Sequence, residues 1–243
     1  MRSVNICLLG DYSDQVLAHK AILASMEIAQ NKYKDQFSYQ WIQTCDIKQE
    51  ISSKFSNFDA VWIVPASPYE NTQGVLDVLF YIRTHNIPFL GTCGGYQHAL
   101  IEYAKNVLSI NDADHAETNP NAINPIIMLL SCSLIEKPEK ITVIKGSLLY
   151  QIYADTEFEE QFHCSFGFNH NYLHKFESQS FKFSAFNLLN EVRAFELIAH
   201  PFYIGTSFQP ERSAFKGILH PLVEHFLLTA IKHSETRFVE KGK

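Results

Sequence analysis

The sequence contains no apolar run approaching the length of a membrane span, and Met1-Arg2-Ser3 leads straight into the apolar Val4–Leu9 without a secretory cleavage pattern. A cytoplasmic protein is expected, with no membrane partner. Basic charge is also short: 20 Lys and Arg stand against 26 Asp and Glu, a net charge of -6 with no basic run, so no nucleic-acid partner is expected. Cysteine is sparse and odd in number. Cys7, Cys45, Cys93, Cys132 and Cys164 are scattered and lack the close spacing of a zinc site, which argues for reduced thiols and no metal. No G-x-x-x-x-G-K-[ST] phosphate loop, internal repeat or low-complexity segment occurs, and no cofactor is expected. Small molecules and proteins remain as partners, with a homo-oligomer left open. The 243 residues suffice for one large α/β domain, expected to run over 1–243.

Glycine is scarce as well, with 10 in the chain, yet Gly91, Gly94 and Gly95 all flank Cys93. Ile87 to Leu90 reads as the end of a buried strand, and Tyr96, Leu100, Tyr103 and Val107 form one stripe of an amphipathic helix. Cys93 therefore falls on a strand-to-helix turn. Gly91-x-Cys93-x-Gly95 has the spacing of a nucleophile elbow, in which a sharp turn raises the side chain above the sheet and the helix terminus favours the thiolate. The plain alternative is a small buried cysteine beside a turn; glycines on both sides favour the elbow.

Around that turn, strands and helices alternate. Val4–Leu9 precedes a helix with Leu17, Ala21, Ala24 and Ile28 on its stripe, Phe37–Gln43 reads as a second strand, and Ala60–Val64 as a central strand buried on both faces. Val75, Val78, Leu79 and Ile82 mark the next helix. The pattern predicts an α/β fold, a doubly wound, mostly parallel sheet with sites at the carboxyl ends of its strands. After the polar stretch from Asn111 to Pro125, strand-like runs follow at Pro125–Leu130, Ile141–Ile144, Leu148–Tyr153, Phe162–Asn169 and Phe181–Leu188, an antiparallel extension. Ala199–Phe208 reads as a late strand, and a final helix starts near Pro221 with Val223, Phe226, Leu227 and Ala230 on one face.

The segments Gly91-Thr92-Cys93-Gly94-Gly95-Tyr96-Gln97 and His200–Glu211 together resemble the class I glutamine amidotransferases, most of all the glutaminase domain of CTP synthase. The resemblance covers nearly the whole chain and implies the flavodoxin-like fold of that family. The synthetase domain has no counterpart in the sequence, so synthesis of CTP by this chain alone is not expected. The resemblance makes Cys93 the nucleophile and Glu211 the acid that orients a catalytic histidine, but the histidine position is Gln209. A carboxamide cannot take up a proton near neutral pH, so a general base worth roughly 10²- to 10⁴-fold is missing. The oxyanion loop corresponds to Pro65-Ala66-Ser67-Pro68-Tyr69, with a backbone N–H near Ser67 in glycine's place. Gly94, Gln97 and Glu117 match substrate-holding positions, while the arginine for the glutamine α-carboxylate falls on Ser165.

Among the histidines, His163 and His170 are the candidates for a surrogate base, and His115 with Glu117 for ligand contact. Two functions follow. One is a cysteine-dependent amidase or amidotransferase acting on an amide other than free glutamine, with an incomplete triad; the other is a binding or regulatory protein that keeps the pocket without turnover. The cysteine-elbow peptidases are disfavoured, because they place histidine directly after the cysteine and Gly94 stands here.

Overall fold

The computed structural model describes residues 3–34, 36–48, 50–178 and 180–241; Met1 and Arg2, which open the chain, lie outside it. In chain order the first half runs β1 (Val4–Leu9), α1 (Leu17–Lys32), β2 (Phe37–Ile42), α2 (Ile51–Phe55), β3 (Ala60–Ile63), α3 (Thr72–Thr84), β4 (Phe89–Thr92) and α4 (Gly94–Asn106). The second half runs β5 (Ala113–His115), β6 (Asn124–Leu129), β7 (Lys137–Val143), α5 (Leu148–Tyr153), β8 (Glu157–Phe162), β9 (Phe166–Phe168), α6 (Leu173–Phe176), β10 (Phe181–Asn187), β11 (Val192–Leu197), β12 (Tyr203–Thr206) and α7 (Pro221–Lys241).

Nine strands form one sheet in the order β2-β1-β3-β4-β12-β11-β10-β7-β8, and β5-β6-β9 form a second, smaller one. From β2 to β12 all pairings are parallel; from β12 to β8 all are antiparallel. Alternate residues of the central strands feed opposite faces, as the two-residue period requires. Val61 and Ile63 join α3 and α4 residues on one side, while Ala60 and Trp62 join Ile22 and Met26 of α1 and Val223 and Phe226 of α7 on the other. Helices on both faces make this the expected flavodoxin-like α/β arrangement with an antiparallel extension.

The pairing that positions the site is β4 with β12. Leu90, Gly91 and Thr92 lie beside Ile204, Gly205 and Thr206, and the Cys93 N–H donates to Thr206 O at 2.8 Å. The residues after each strand emerge at the same end of the sheet, so positions 207–211 come out next to Cys93.

Several local readings change. The buried apolar residues of α1 are Ala18, Ala21, Ile22, Met26 and Ala29, so of the expected stripe Ala21 is buried while Leu17 is 48% exposed. Leu148–Tyr153 is helical: Ser147 caps it by accepting from the Tyr150 N–H at 2.9 Å, and the buried Glu196 carboxylate accepts from the Leu148 and Leu149 N–H groups. Its Leu, Tyr and Ile residues read as strand formers because that carboxylate comes from 47 and 48 residues away. The Phe162–Asn169 run is broken: Phe162 ends β8, Phe166–Phe168 is β9 in the other sheet, and residues 163–165 turn between them. The late strand is only Tyr203–Thr206, and β5 and β11 carried no strong sequence signal.

Candidate active site

Cys93 sits at φ 51°, ψ -102°, between the last residue of β4 and the first of α4. For a residue with a Cβ this conformation is strained, costing about 1–3 kcal/mol, and it is the conformation an elbow demands of its nucleophile. The glycines serve a different purpose. A Cβ on Gly95 would lie 2.2 Å from Ile63 O, and one on Gly91 2.8 Å from the Gly95 carbonyl carbon, so they allow α4 to approach β3 and β4 closely while Cys93 itself carries the turn. Gly94 cannot carry a side chain either, since its Cβ would stand 2.9 Å from Tyr69 Oη and 3.1 Å from Ser67 Oγ.

The elbow does not expose a thiolate here. Cys93 is 7% exposed, and its Sγ contacts His163 O at 3.7 Å. A hydrogen bond with the Cys164 thiol, then burial, push the Cys93 thiol well above its ordinary value, outweighing the Gly94 N–H that favours the anion. The same hydrogen bond, with help from Arg193, lowers the Cys164 thiol.

Cys93, Ser67, Gln97, Glu117, Ser165 and Gln209 line one cavity of about 650 Å³. Gln97 is fully engaged there: its Nε2 donates to Phe166 O at 2.9 Å, and its Oε1 accepts from Ser67 Oγ at 3.2 Å and pairs with His115 Nε2 at 3.1 Å. The His115 Nδ1 accepts from the Glu117 N–H at 3.1 Å, which fixes the tautomer with the proton on Nε2. Burial pushes the His115 pKa down to about 3. His115, expected to touch ligand, is thus a buried brace that positions Gln97 and Glu117 behind the wall. Glu117 itself reaches the cavity, its carboxyl raised by partial burial.

The loop at residues 65–69 is held at both ends. Tyr69 Oη donates to Val64 O at 2.5 Å, and His19 Nε2 bonds Pro65 O at 3.0 Å. Ala66 takes φ 77°, a left-handed conformation ordinarily left to glycine.

Gln209 and Glu211 flank Pro210 at the start of the 3₁₀ turn Pro210–Lys216. The Gln209 Oε1 accepts from Arg212 Nε at 2.6 Å. Glu211 is completely buried behind the cavity wall; its Oε1 accepts weakly from Thr92 Oγ1 at 3.5 Å and its Oε2 has no partner, so burial holds the carboxyl well above its usual range.

At the other wall stands a cluster that sequence reasoning missed in part. Arg212 makes a two-pronged pair with Glu136 at 2.6 and 2.7 Å, and Glu136 also bonds His163 Nδ1 at 2.6 Å. Arg212 and His163 together hold the Glu136 carboxyl down at about 2. His163 thus reaches the cavity, but its imidazole is paired with Glu136, and only its backbone carbonyl touches Cys93. His170 is exposed in a 3₁₀ turn away from the cavity lining and is not brought to the site. The Ser165 Oγ bonds Ser133 Oγ at 3.0 Å, and no cation stands at that position. Arg212 was legible in principle as a charge adjoining Glu211; Glu136 and Cys164 had no signal beyond their chemistry. Among the described residues no group of three or more His, Cys, Asp or Glu is placed to hold a metal ion, and no helix is long and apolar enough to cross a membrane.

A cysteine elbow at the carboxyl edge of a doubly wound sheet, with an acid carried in by the turn that follows the neighbouring strand, fits the class I amidotransferase architecture. Residues 24–227 match the model of the family described as glutamine amidotransferase class-I, and the chain belongs to that family. It is 28% identical over 246 residues to the CTP synthase of Cytophaga hutchinsonii and 29% over 247 to that of Coprothermobacter proteolyticus, covering 95% of this chain and 45% of each relative. The chain therefore spans about half the length of these relatives. Among solved structures, the glutaminase domain of Trypanosoma brucei CTP synthase with bound acivicin superposes with a TM-score of 0.84 at 19% identity, over 95% of this chain and 94% of that one. A glutamine amidotransferase from Thermotoga maritima gives 0.58 at 11% identity, over 96% of each chain.

Proposed function

We propose that this CTP synthase-like amidotransferase domain binds a small amide-bearing ligand in the Cys93 cavity and does not hydrolyse free glutamine through a Cys-His-Glu triad. The observation that carries the reading is the pair Gln209 and Glu211. The carboxamide at the histidine position is tied to Arg212, and the acid that would orient an imidazole is buried with one oxygen unpartnered. No proton acceptor stands between thiol and acid, and Cys93 is kept protonated by its surroundings.

Ligand charge follows from the cavity. Arg212 is already neutralised by two hydrogen bonds to Glu136, Ser165 offers no cation, and Glu117 has no side-chain hydrogen bond or ion pair among the described residues. The uncompensated charge is negative, so a ligand with an ammonium group and no free carboxylate fits better than a zwitterionic amino acid. The test compares glutamine with its α-amide, which keeps ammonium and side-chain amide and loses the carboxylate. The α-amide should raise the thermal midpoint and glutamine should not; tighter binding of glutamine would refute the charge assignment.

A second reading, a cysteine-dependent amidase for a non-glutamine amide, is favoured by the His163–Glu136 pair at 2.6 Å on the cavity wall, a base already oriented by a carboxylate. Its mark is ammonia release from the α-amide that vanishes in both Cys93→Ala and His163→Ala. Release from glutamine at about one per second, dependent on Cys93, would overturn the first reading.

A further inference from the structure

Cys164 has no part in either reading, yet it lines the same cavity as Cys93. The turn at residues 163–165 between β8 and β9 lays the His163 carbonyl 3.7 Å from the Cys93 sulfur, and the next residue, Cys164, faces the same cavity with its Sγ 4.0 Å from Ser207 O. The two thiols pack in the same apolar cluster, and both open onto the same cavity. The turn is anchored by its own backbone, Leu134 N–H to Cys164 O at 2.9 Å and Leu130 N–H to Ser165 O at 2.8 Å, so the pairing is fixed by the fold. Each thiol is less than a tenth exposed, which admits a small oxidant from the cavity and hinders bulky reagents.

We propose that Cys93 and Cys164 form a redox-active dithiol that a hydroperoxide converts to a disulfide across the floor of the cavity. The Cys164 sulfur, as thiolate, attacks the terminal oxygen of the peroxide; the O–O bond breaks, the displaced oxygen leaves with a proton as water or alcohol, and a sulfenic acid remains. The second sulfur then attacks the sulfenic sulfur, an S–S bond forms, the S–O bond breaks, and hydroxide leaves as water with the proton of the second thiol. The dithiol loses two electrons and the peroxide gains them. In the oxidised form Cys93 is no longer free, so whatever the pocket does with its thiol stops until a dithiol reductant returns it. The inference is independent of which reading of the pocket holds.

The experiment treats the full chain with an equimolar amount of hydrogen peroxide, then alkylates and maps peptides without reduction. The wild type should lose the mass of two hydrogens, yield a cross-linked peptide joining Cys93 to Cys164, and recover fully in dithiothreitol. Cys93→Ser should instead gain oxygen on Cys164 and trap a sulfenic-acid reagent there, while a Cys45→Ser/Cys132→Ser variant, lacking the two exposed thiols, should cross-link as the wild type does. A cross-link through Cys45 or Cys132 in the wild type, or oxygen gain on Cys93 with Cys164 left as a thiol, overturns the proposal. Should Cys93→Ser fail to fold, the wild-type peptide map decides alone.

Discussion

At residue 209 stands a carboxamide, which cannot take up a proton near neutral pH. Its oxygen accepts from Arg212, and the fully buried Glu211 beside it has one carboxylate oxygen unpartnered. Gln209→His is expected to fill the gap between Cys93 and Glu211 and to raise the iodoacetamide reactivity of Cys93 near neutral pH about a hundredfold, the low end of what a positioned base supplies. In the wild type the exposed Cys45 and Cys132 should alkylate before Cys93, and peptide mapping after brief labelling checks both points. The single variant should release almost no ammonia from glutamine, because the α-carboxylate still lacks a cation; only Gln209→His with Ser165→Arg should do so. Efficient hydrolysis by the single variant would show that Ser165 does not limit the site.

The elbow is an element whose glycines can be ranked by what surrounds them. Adding a Cβ at Gly95 drives it into the Ile63 carbonyl of β3 at 2.2 Å, and a backbone atom cannot rotate away as a side chain can. Gly95→Ala should cost roughly 2–4 kcal/mol or displace α4. Gly146→Ala meets nothing within 4 Å and is opposed only by its φ of +79°, so it should cost about 1 kcal/mol. Urea denaturation of the two variants measures the difference, and equal losses would show that close approach is not what Gly95 provides. Element identity was legible wherever the pattern is local: the β4 to α4 turn and the apolar face of α7 stand where periodicity put them. It failed at α5, whose first N–H groups are capped by Glu196 from another element, and in part at α1, where Ala21 is buried as expected but Leu17 is exposed.

For the molecule as a whole, acid should act through buried neutral histidines. Burial lowers His98 and His200 to about 4 and His115 to about 3, all below the 6.5 of an exposed imidazole. The unfolded chain therefore binds more protons between those values, so the stability these sites contribute is present above pH 6.5 and is lost as pH falls from there toward 4 and 3. Each site contributes a slope of up to about 1.4 kcal/mol per pH unit. The thermal midpoint should drop steeply over that interval, less steeply in His98→Gln or His115→Gln; an unchanged slope in both would remove these histidines as the cause.

The sequence by itself determined the alternation of strand and helix, the elbow at Cys93, and a carboxamide at 209 and a hydroxyl at 165 where neither an imidazole nor a guanidinium stands, because each is written in neighbouring residues or in one position. Tertiary structure alone decided which side chains meet there. Cys164, Glu136 and Arg212 gather around the cavity because β12 pairs with β4 and because the chain turns between two sheets at residues 163–165. The thiol's protonation was decided in the same way. A helix terminus argues locally for a thiolate, but burial and a second sulfur 71 positions along the chain argue more strongly against it, and no local pattern encodes their approach.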